Sequence, residues 1–147
     1  EALAKLMAML ERLSERVPVV FPMHPRTRKR MEESGIGTSV RIIDPLGYLD
    51  FLRLTSEAAL VLTDSGGIQE ETTILQVPCL TIRENTERPV TITEGTNRLA
   101  GTDPDKVLQH ALDVMASPKQ PHRQPKYWDG QAAGRVVDAL EKVLFET

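Results

Sequence analysis

Cysteine is almost missing from this chain: Cys79 stands alone among 147 residues. No disulfide can close within the chain. The thiol lies in the apolar run Pro78-Cys79-Leu80-Thr81-Ile82 with no base beside it in sequence, and it reads as a buried structural residue rather than a nucleophile. Histidine is scarce too, three in all, and none has a second histidine or a cysteine at ligand spacing, so no metal site is expected. Positive charge is not in excess. Eighteen Lys and Arg face 21 Asp and Glu, a net charge of −3, and that balance supplies no basic field for a nucleic acid. The densest basic run, Arg26 to Arg30, is short, is followed by Glu32 and Glu33, and reads as the solvated face of a helix. No apolar run approaches the ~18 residues of a membrane span, and no signal-peptide pattern is visible, so the expected compartment is the cytoplasm. Aromatic residues make up 4%. Tyr48 and Phe51 fall on a predicted helix, where core packing is the commoner role, and Trp128 is expected to pack the final helix in place.

What is present fits one globular domain over 1–147: 40% hydrophobic residues and mixed charge, a composition that buries a core. The chain begins without methionine inside an amphipathic segment, with Leu3, Leu6, Met7, Leu10, Leu13 and Val17 on one face, and so reads as part of a longer protein. Strands are expected at 19–23, 40–44, 59–63, 79–82 and 97–100. Helices are expected at 26–34, stopped by Gly35, at 47–57, at 68–76 and at 104–115, where Pro104 is the first position and Asp103 the cap. A loop over 83–96 is long for a compact α/β domain. The stretch 117–127 reads as an irregular surface connector. After the Asp129-Gly130 turn, a last helix carries Ala133, Val136, Val137, Leu140 and Leu144 along one stripe.

Strands alternating with helices, and apolar throughout, indicate a parallel sheet covered on both faces. The fold class is therefore α/β, an open, doubly wound, mainly parallel Rossmann-like sheet in three α/β/α layers. Ligands in such folds bind beyond the carboxyl ends of the strands. The loops expected there are His24-Pro25-Arg26, Pro45-Leu46-Gly47, 64–67 and 83–96.

One of them stands out. Asp64-Ser65-Gly66-Gly67-Ile68-Gln69-Glu70-Glu71 follows the apolar run 59–63 and opens a helix. Helix starts leave N–H groups unsatisfied and carry partial positive charge, and glycine lets an anion approach the backbone. No Gly-Lys-Ser/Thr follows, so this is not a P-loop, and Gly-x-Gly-x-x-Gly is absent. The plain alternative is a capped tight turn, with Ser65 or Asp64 as cap. Two consecutive glycines add conformational entropy that a cap does not require. Glu70 and Glu71 project about 100° apart, so only one can readily face the sheet edge. Arg88, in the long loop, can pair with a phosphate or with a carboxylate such as Glu71; its plain reading is a surface arginine. His24 is either a helix-start residue or a phosphate partner.

Several runs together carry a resemblance. Ile43-Asp44-Pro45-Leu46-Gly47-Tyr48-Leu49-Asp50-Phe51, Thr63 through Glu71, Thr86-Glu87-Arg88-Pro89, Gly95-Thr96-Asn97-Arg98-Leu99 and Trp128-Asp129-Gly130-Gln131-Ala132 resemble the non-hydrolysing UDP-N-acetylglucosamine 2-epimerases, in order and over nearly the whole chain. The resemblance implies the carboxyl-terminal half of a two-domain, GT-B-type fold, the half that holds UDP. It implies diphosphate binding by Ser65, Gly66 and Gly67, ribose binding by Glu71, a nucleotide-site role for Arg88, and a uracil pocket formed by Leu46 and Phe51. It gives His24 a contact to a regulatory substrate molecule, although Pro25-Arg26 departs from the His-x-Asn-Pro pattern. It implies no cofactor, no metal and no catalytic residue in this half. The implied partners are UDP or a UDP-N-acetylhexosamine, the missing amino-terminal domain, to which a last helix at about 130–145 would cross, and a second copy of the chain as a candidate. In such enzymes UDP is eliminated to leave a 2-acetamidoglucal and adds back after reprotonation at C2, with the acidic groups in the other half. The chain alone is therefore expected to be inactive and to bind UDP weakly. The alternatives are a stand-alone or engineered folding or interaction module with a vestigial nucleotide site, and a GT-B glycosyltransferase donor domain.

Overall fold

The computed structural model describes residues 2–117 and 124–145. In chain order the elements are α1 (Ala2–Ser14), β1 (Val20–Pro22), α2 (Pro25–Glu33), β2 (Arg41–Ile43), α3 (Tyr48–Ser56), β3 (Val61–Thr63), α4 (Gly66–Leu75), β4 (Cys79–Thr81), α5 (Val90–Thr93), β5 (Asn97–Leu99), α6 (Pro104–Ala116) and α7 (Ala132–Phe145). All strand pairs are parallel, and every strand is three residues long. The expected single sheet is divided among the described residues into a β1-β2 ladder and a β3-β4-β5 ladder. Both serve one core, in which Met23 and Val40 beside the first ladder join Leu80 and Ala100 of the second. The ladders extend slightly past the strands, with Met23 N–H donating to Ile43 O at 3.0 Å and Ala100 N–H to Thr81 O at 2.9 Å.

The opening helix lays Met7, Leu10 and Leu13 into that core, and Met9, three residues from Leu6 and four from Leu13, widens the stripe. Its partner is α6, which contributes Val107, Leu108 and Ala111. Asp103 caps α6 as expected, accepting from the N–H groups of Asp105 (2.9 Å) and Lys106 (3.2 Å). Helix α2 ends in a Schellman turn. Gly35 takes φ +62°, its N–H donates to Glu32 O, and Ile36 N–H donates to Met31 O. Helix α4 ends the same way with Gln76 at φ +58° and Val77 N–H bonded to Thr72 O.

Two expectations are corrected. The 83–96 stretch is not wholly irregular, because α5 forms within it. Trp128 does not pack the last helix; it lies half-buried in a recess with residues of α3 and α4. The last helix forms within the expected span, as α7 from Ala132, and none of its residues is buried. Its stripe of Val136, Val137, Leu140 and Leu144 is 53–63% exposed.

Candidate functional site

Strand β3 delivers the chain to the glycine turn. Thr63, nearly buried at its end, accepts from Ser65 N–H through Oγ1 at 3.0 Å, which fixes the exit from the sheet. Ser65 stands at the N-cap of α4 in an extended conformation, and its hydroxyl makes no capping bond. The capped-turn alternative is thus not what forms. The first N–H groups of α4 have no side-chain cap, which leaves the positive end of the helix dipole facing outward.

Nothing in the fold requires glycine at 66 or 67. Neither has a positive φ. A Cβ on Gly67 would come no nearer than 3.9 Å to any atom beyond its neighbours, and one on Gly66 would meet only Arg88, at 3.8 Å. What the missing side chains do is leave the backbone N–H groups open to approach. The same measurement locates Arg88: its Cγ and Nε lie beside the helix start.

Arg88 reaches that position from the segment between β4 and α5. Its Nε is 2.7 Å from Glu70 Oε1, an ion pair whose N–H does not point along the contact, with both side chains 42% exposed. The carboxylate partner is therefore Glu70 and not Glu71. Glu71, one residue on and half-buried, makes no hydrogen bond or ion pair among the described residues, so its oxygens are free to accept. It lines a recess of about 520 Å³ with Tyr48 and Leu52 of α3, Glu70 and Ile74 of α4, and Trp128. That volume lies within the range of small-molecule sites, roughly 300–1,000 Å³. Phe51, half-buried on α3, and Leu46, 38% exposed in the loop before it, are not among the residues that line this recess.

His24 caps α2, its Nδ1 accepting from Arg26 N–H at 3.2 Å, and it stays exposed. Cys79 is buried, and burial pushes its thiol up to about 11, a rise that the nearby hydroxyls of Thr72 and Thr81 only partly oppose. It is protonated and inert at neutral pH. Among the described residues no group of three His, Cys, Asp or Glu side chains forms a metal site, and no helix is long and apolar enough to cross a membrane.

Sequence reasoning missed the support beneath Arg88. Gln69 is completely buried; its Oε1 accepts from Thr86 Oγ1 at 2.6 Å and from Asn97 Nδ2 at 3.1 Å. No local pattern marks Gln69, one polar residue in a polar run.

Parallel strands with flanking helices define the class: a Rossmann-like domain of the GT-B kind. The chain belongs to the UDP-N-acetylglucosamine 2-epimerase family, whose pattern matches residues 1–141. It is 40% identical to the UDP-N-acetylglucosamine 2-epimerase of Methanococcus maripaludis, over 95% of this chain and 40% of that protein. It is 38% identical, with the same coverages, to the UDP-2,3-diacetamido-2,3-dideoxy-D-glucuronate 2-epimerase of Pseudomonas aeruginosa. Among solved structures, the Methanocaldococcus jannaschii UDP-GlcNAc 2-epimerase in complex with UDP-GlcNAc and UDP superposes with a TM-score of 0.80 at 36% identity, covering 95% of this chain and 40% of that one. The chain thus spans about 40% of the length of the relatives it matches.

Proposed function

We propose that this chain is the UDP-holding half of an epimerase acting at C2 of a UDP-2-acetamido sugar. The observation that carries the reading is the position of Arg88 beside the uncapped start of α4, at two glycines that the fold does not need. Backbone N–H groups of 66–68, the helix dipole and a guanidinium make a seat for a diphosphate. Glu71, unpaired and one turn into the helix, takes the ribose hydroxyls, while Leu46 and Phe51 border the base. Ser65 adds a hydroxyl free of capping duty.

The chemistry of such an epimerase explains why the grip matters. A proton leaves C2 and the C1–O bond breaks, the electron pair going to UDP as leaving group; addition then restores the bond after a proton reaches C2 from the other face. Negative charge grows on the diphosphate as the bond breaks, and Arg88 with the helix start is arranged to stabilise it. Holding UDP beside the glycal keeps the return step effectively unimolecular. The groups that move the C2 proton are assigned to the remainder of the longer protein, so this chain alone is expected to show no turnover. The named relatives include UDP-GlcNAc and UDP-diacetamido-glucuronate 2-epimerases, and a nucleotide-holding half serves either sugar.

The missing domain is the proposed partner of α7, whose apolar stripe lies uncovered. A second copy of the chain is the competing occupant. For His24 a regulatory contact remains proposed, through Nε2, since Nδ1 is engaged in the cap.

The test is a UDP titration of this chain with the Glu71→Ala variant alongside. Wild type should bind and be raised in melting temperature by millimolar UDP, and Glu71→Ala should lose that shift. An unchanged isotherm for Glu71→Ala removes the ribose assignment, and no shift in wild type favours a module with a vestigial site.

A further inference from the structure

The 86–91 segment carrying Arg88 is held by a closed set of buried and half-buried hydrogen bonds whose acceptor centre is Gln69. Arg88 N–H donates to Thr86 Oγ1 at 3.0 Å, and Thr86 Oγ1 donates to Gln69 Oε1 at 2.6 Å. On the other side, Arg88 O accepts from Thr91 Oγ1 at 2.7 Å and from Thr91 N–H at 3.0 Å. Thr91 Oγ1 in turn accepts from Asn97 Nδ2 at 3.1 Å, and Asn97 Nδ2 also donates to Gln69 Oε1 at 3.1 Å. Thr81 Oγ1 completes the set on Asn97 Oδ1 at 2.7 Å. Both backbone polar groups of Arg88 are therefore gripped, and both grips trace to one oxygen.

The bond directions are mutually consistent. Each threonine hydroxyl has one hydrogen, and all three are used: Thr86 toward Gln69, Thr91 toward Arg88, Thr81 toward Asn97. With Asn97 Nδ2 as donor, the Gln69 amide turns its oxygen to the loop. The arrangement is expensive for a core. Gln69 is 0% exposed, Asn97 2% and Thr91 0%, and Gln69 Nε2 finds no partner among the described residues. An apolar side chain at 69 would avoid that penalty. Gly95 holds the other side close, since a Cβ there would lie 2.4 Å from Thr73 Oγ1 and 2.5 Å from Thr91 O. The result is a rigid bridge from α4, the helix whose start forms the site, to the backbone of the one arginine that lies over it.

We propose that Gln69, acting through Thr86, is the positioning residue for Arg88, fixing 86–88 against α4 so that the guanidinium lies along the helix start. The inference rests on the UDP reading of that site and adds the residues that set its geometry. Neither Gln69 nor Thr86 is required to touch the ligand.

The experiment combines UDP titration of this chain with amide hydrogen exchange at Arg88, for Thr86→Val and Thr86→Ser in wild-type and Arg88→Ala backgrounds. Thr86→Val keeps shape and removes the hydroxyl, at a half-buried position where folding should survive; Gln69→Met serves as the second variant. Thr86→Val and Gln69→Met should expose the Arg88 amide to exchange and weaken UDP about tenfold, while Thr86→Ser restores both. In the Arg88→Ala background Thr86→Val should have no further effect on UDP. Equal weakening with and without Arg88, or no weakening by Thr86→Val when Arg88→Ala does weaken, overturns the inference and leaves the UDP reading standing. If Arg88→Ala and Glu71→Ala both leave UDP binding unchanged, the UDP reading fails, and exchange alone decides: an Arg88 amide still protected in Thr86→Val overturns the positioning role, and lost protection upholds it.

Discussion

Glu70 Oε1 lies 2.7 Å from Arg88 Nε, so the one arginine over the glycine turn already has a carboxylate beside it. On the proposed UDP reading, a diphosphate would share the guanidinium or displace Glu70. Both side chains are 42% exposed, and exposed pairs contribute roughly 0.2–1 kcal/mol. Glu70→Gln should therefore tighten UDP binding two- to fivefold in a titration at low salt, with the gain shrinking at high salt. Weaker binding by Glu70→Gln would mean that this carboxylate itself receives the ligand.

Gly95 is where backbone and side chain come closest. Thr91 O, a backbone atom, would lie 2.5 Å from a Cβ at this position, and Thr73 Oγ1 2.4 Å from it. Thr91 O can give way only by a shift of the backbone. Gly95→Ala should lower stability by about 2–3 kcal/mol in urea unfolding, and UDP affinity should fall with it because Thr91 holds Arg88. An unchanged midpoint would show that the turn is looser than its contacts imply.

Cys79 gives stability a pH dependence. Its thiol rises from an ordinary 9.0 to about 11, chiefly through burial. The folded state holds the proton more tightly than the unfolded chain, so this contribution is whole below pH 9 and is lost as pH rises toward 11. The amount is on the order of 2 kcal/mol. Urea midpoints at pH 7, 9 and 10.5 should fall more steeply for wild type than for Cys79→Ala; parallel profiles would remove the assignment. A thiol reagent at pH 8 should react only as the chain unfolds.

Helix α7 buries none of its residues. Leu140→Lys should therefore leave the melting temperature of this chain within about 2 °C, while reducing any self-association seen by sedimentation. A large loss of stability would mean that the stripe is covered in solution by a second copy.

Much of this was legible from composition and period. The alternation of helices and strands followed from apolar spacing, and the Asp103-Pro104 start and the Gly35 stop of α2 from capping chemistry. Other features were out of reach for physical reasons. A four-residue helix such as α5 has no period to detect. Glu70 and Glu71 are neighbours on one helix, and which of them meets Arg88 depends on where a distant loop lands. Trp128 precedes α7 in sequence, yet it sits with Tyr48 and Leu52, a pairing set by chain reversal rather than by local pattern. Gln69 looked like one more polar residue in a polar run, because its burial comes from β5 and the 86–91 segment closing over it.

The two glycines at the start of α4 also bear on how the protein would respond to selection. Both have ordinary helical backbone and room for a methyl group, and alanine is favoured over glycine in a helix by up to about 1 kcal/mol. A library screened for thermal resistance alone would therefore drift toward alanine at 66 and 67, and the hardiest survivors would be the ones that had closed their own doorway.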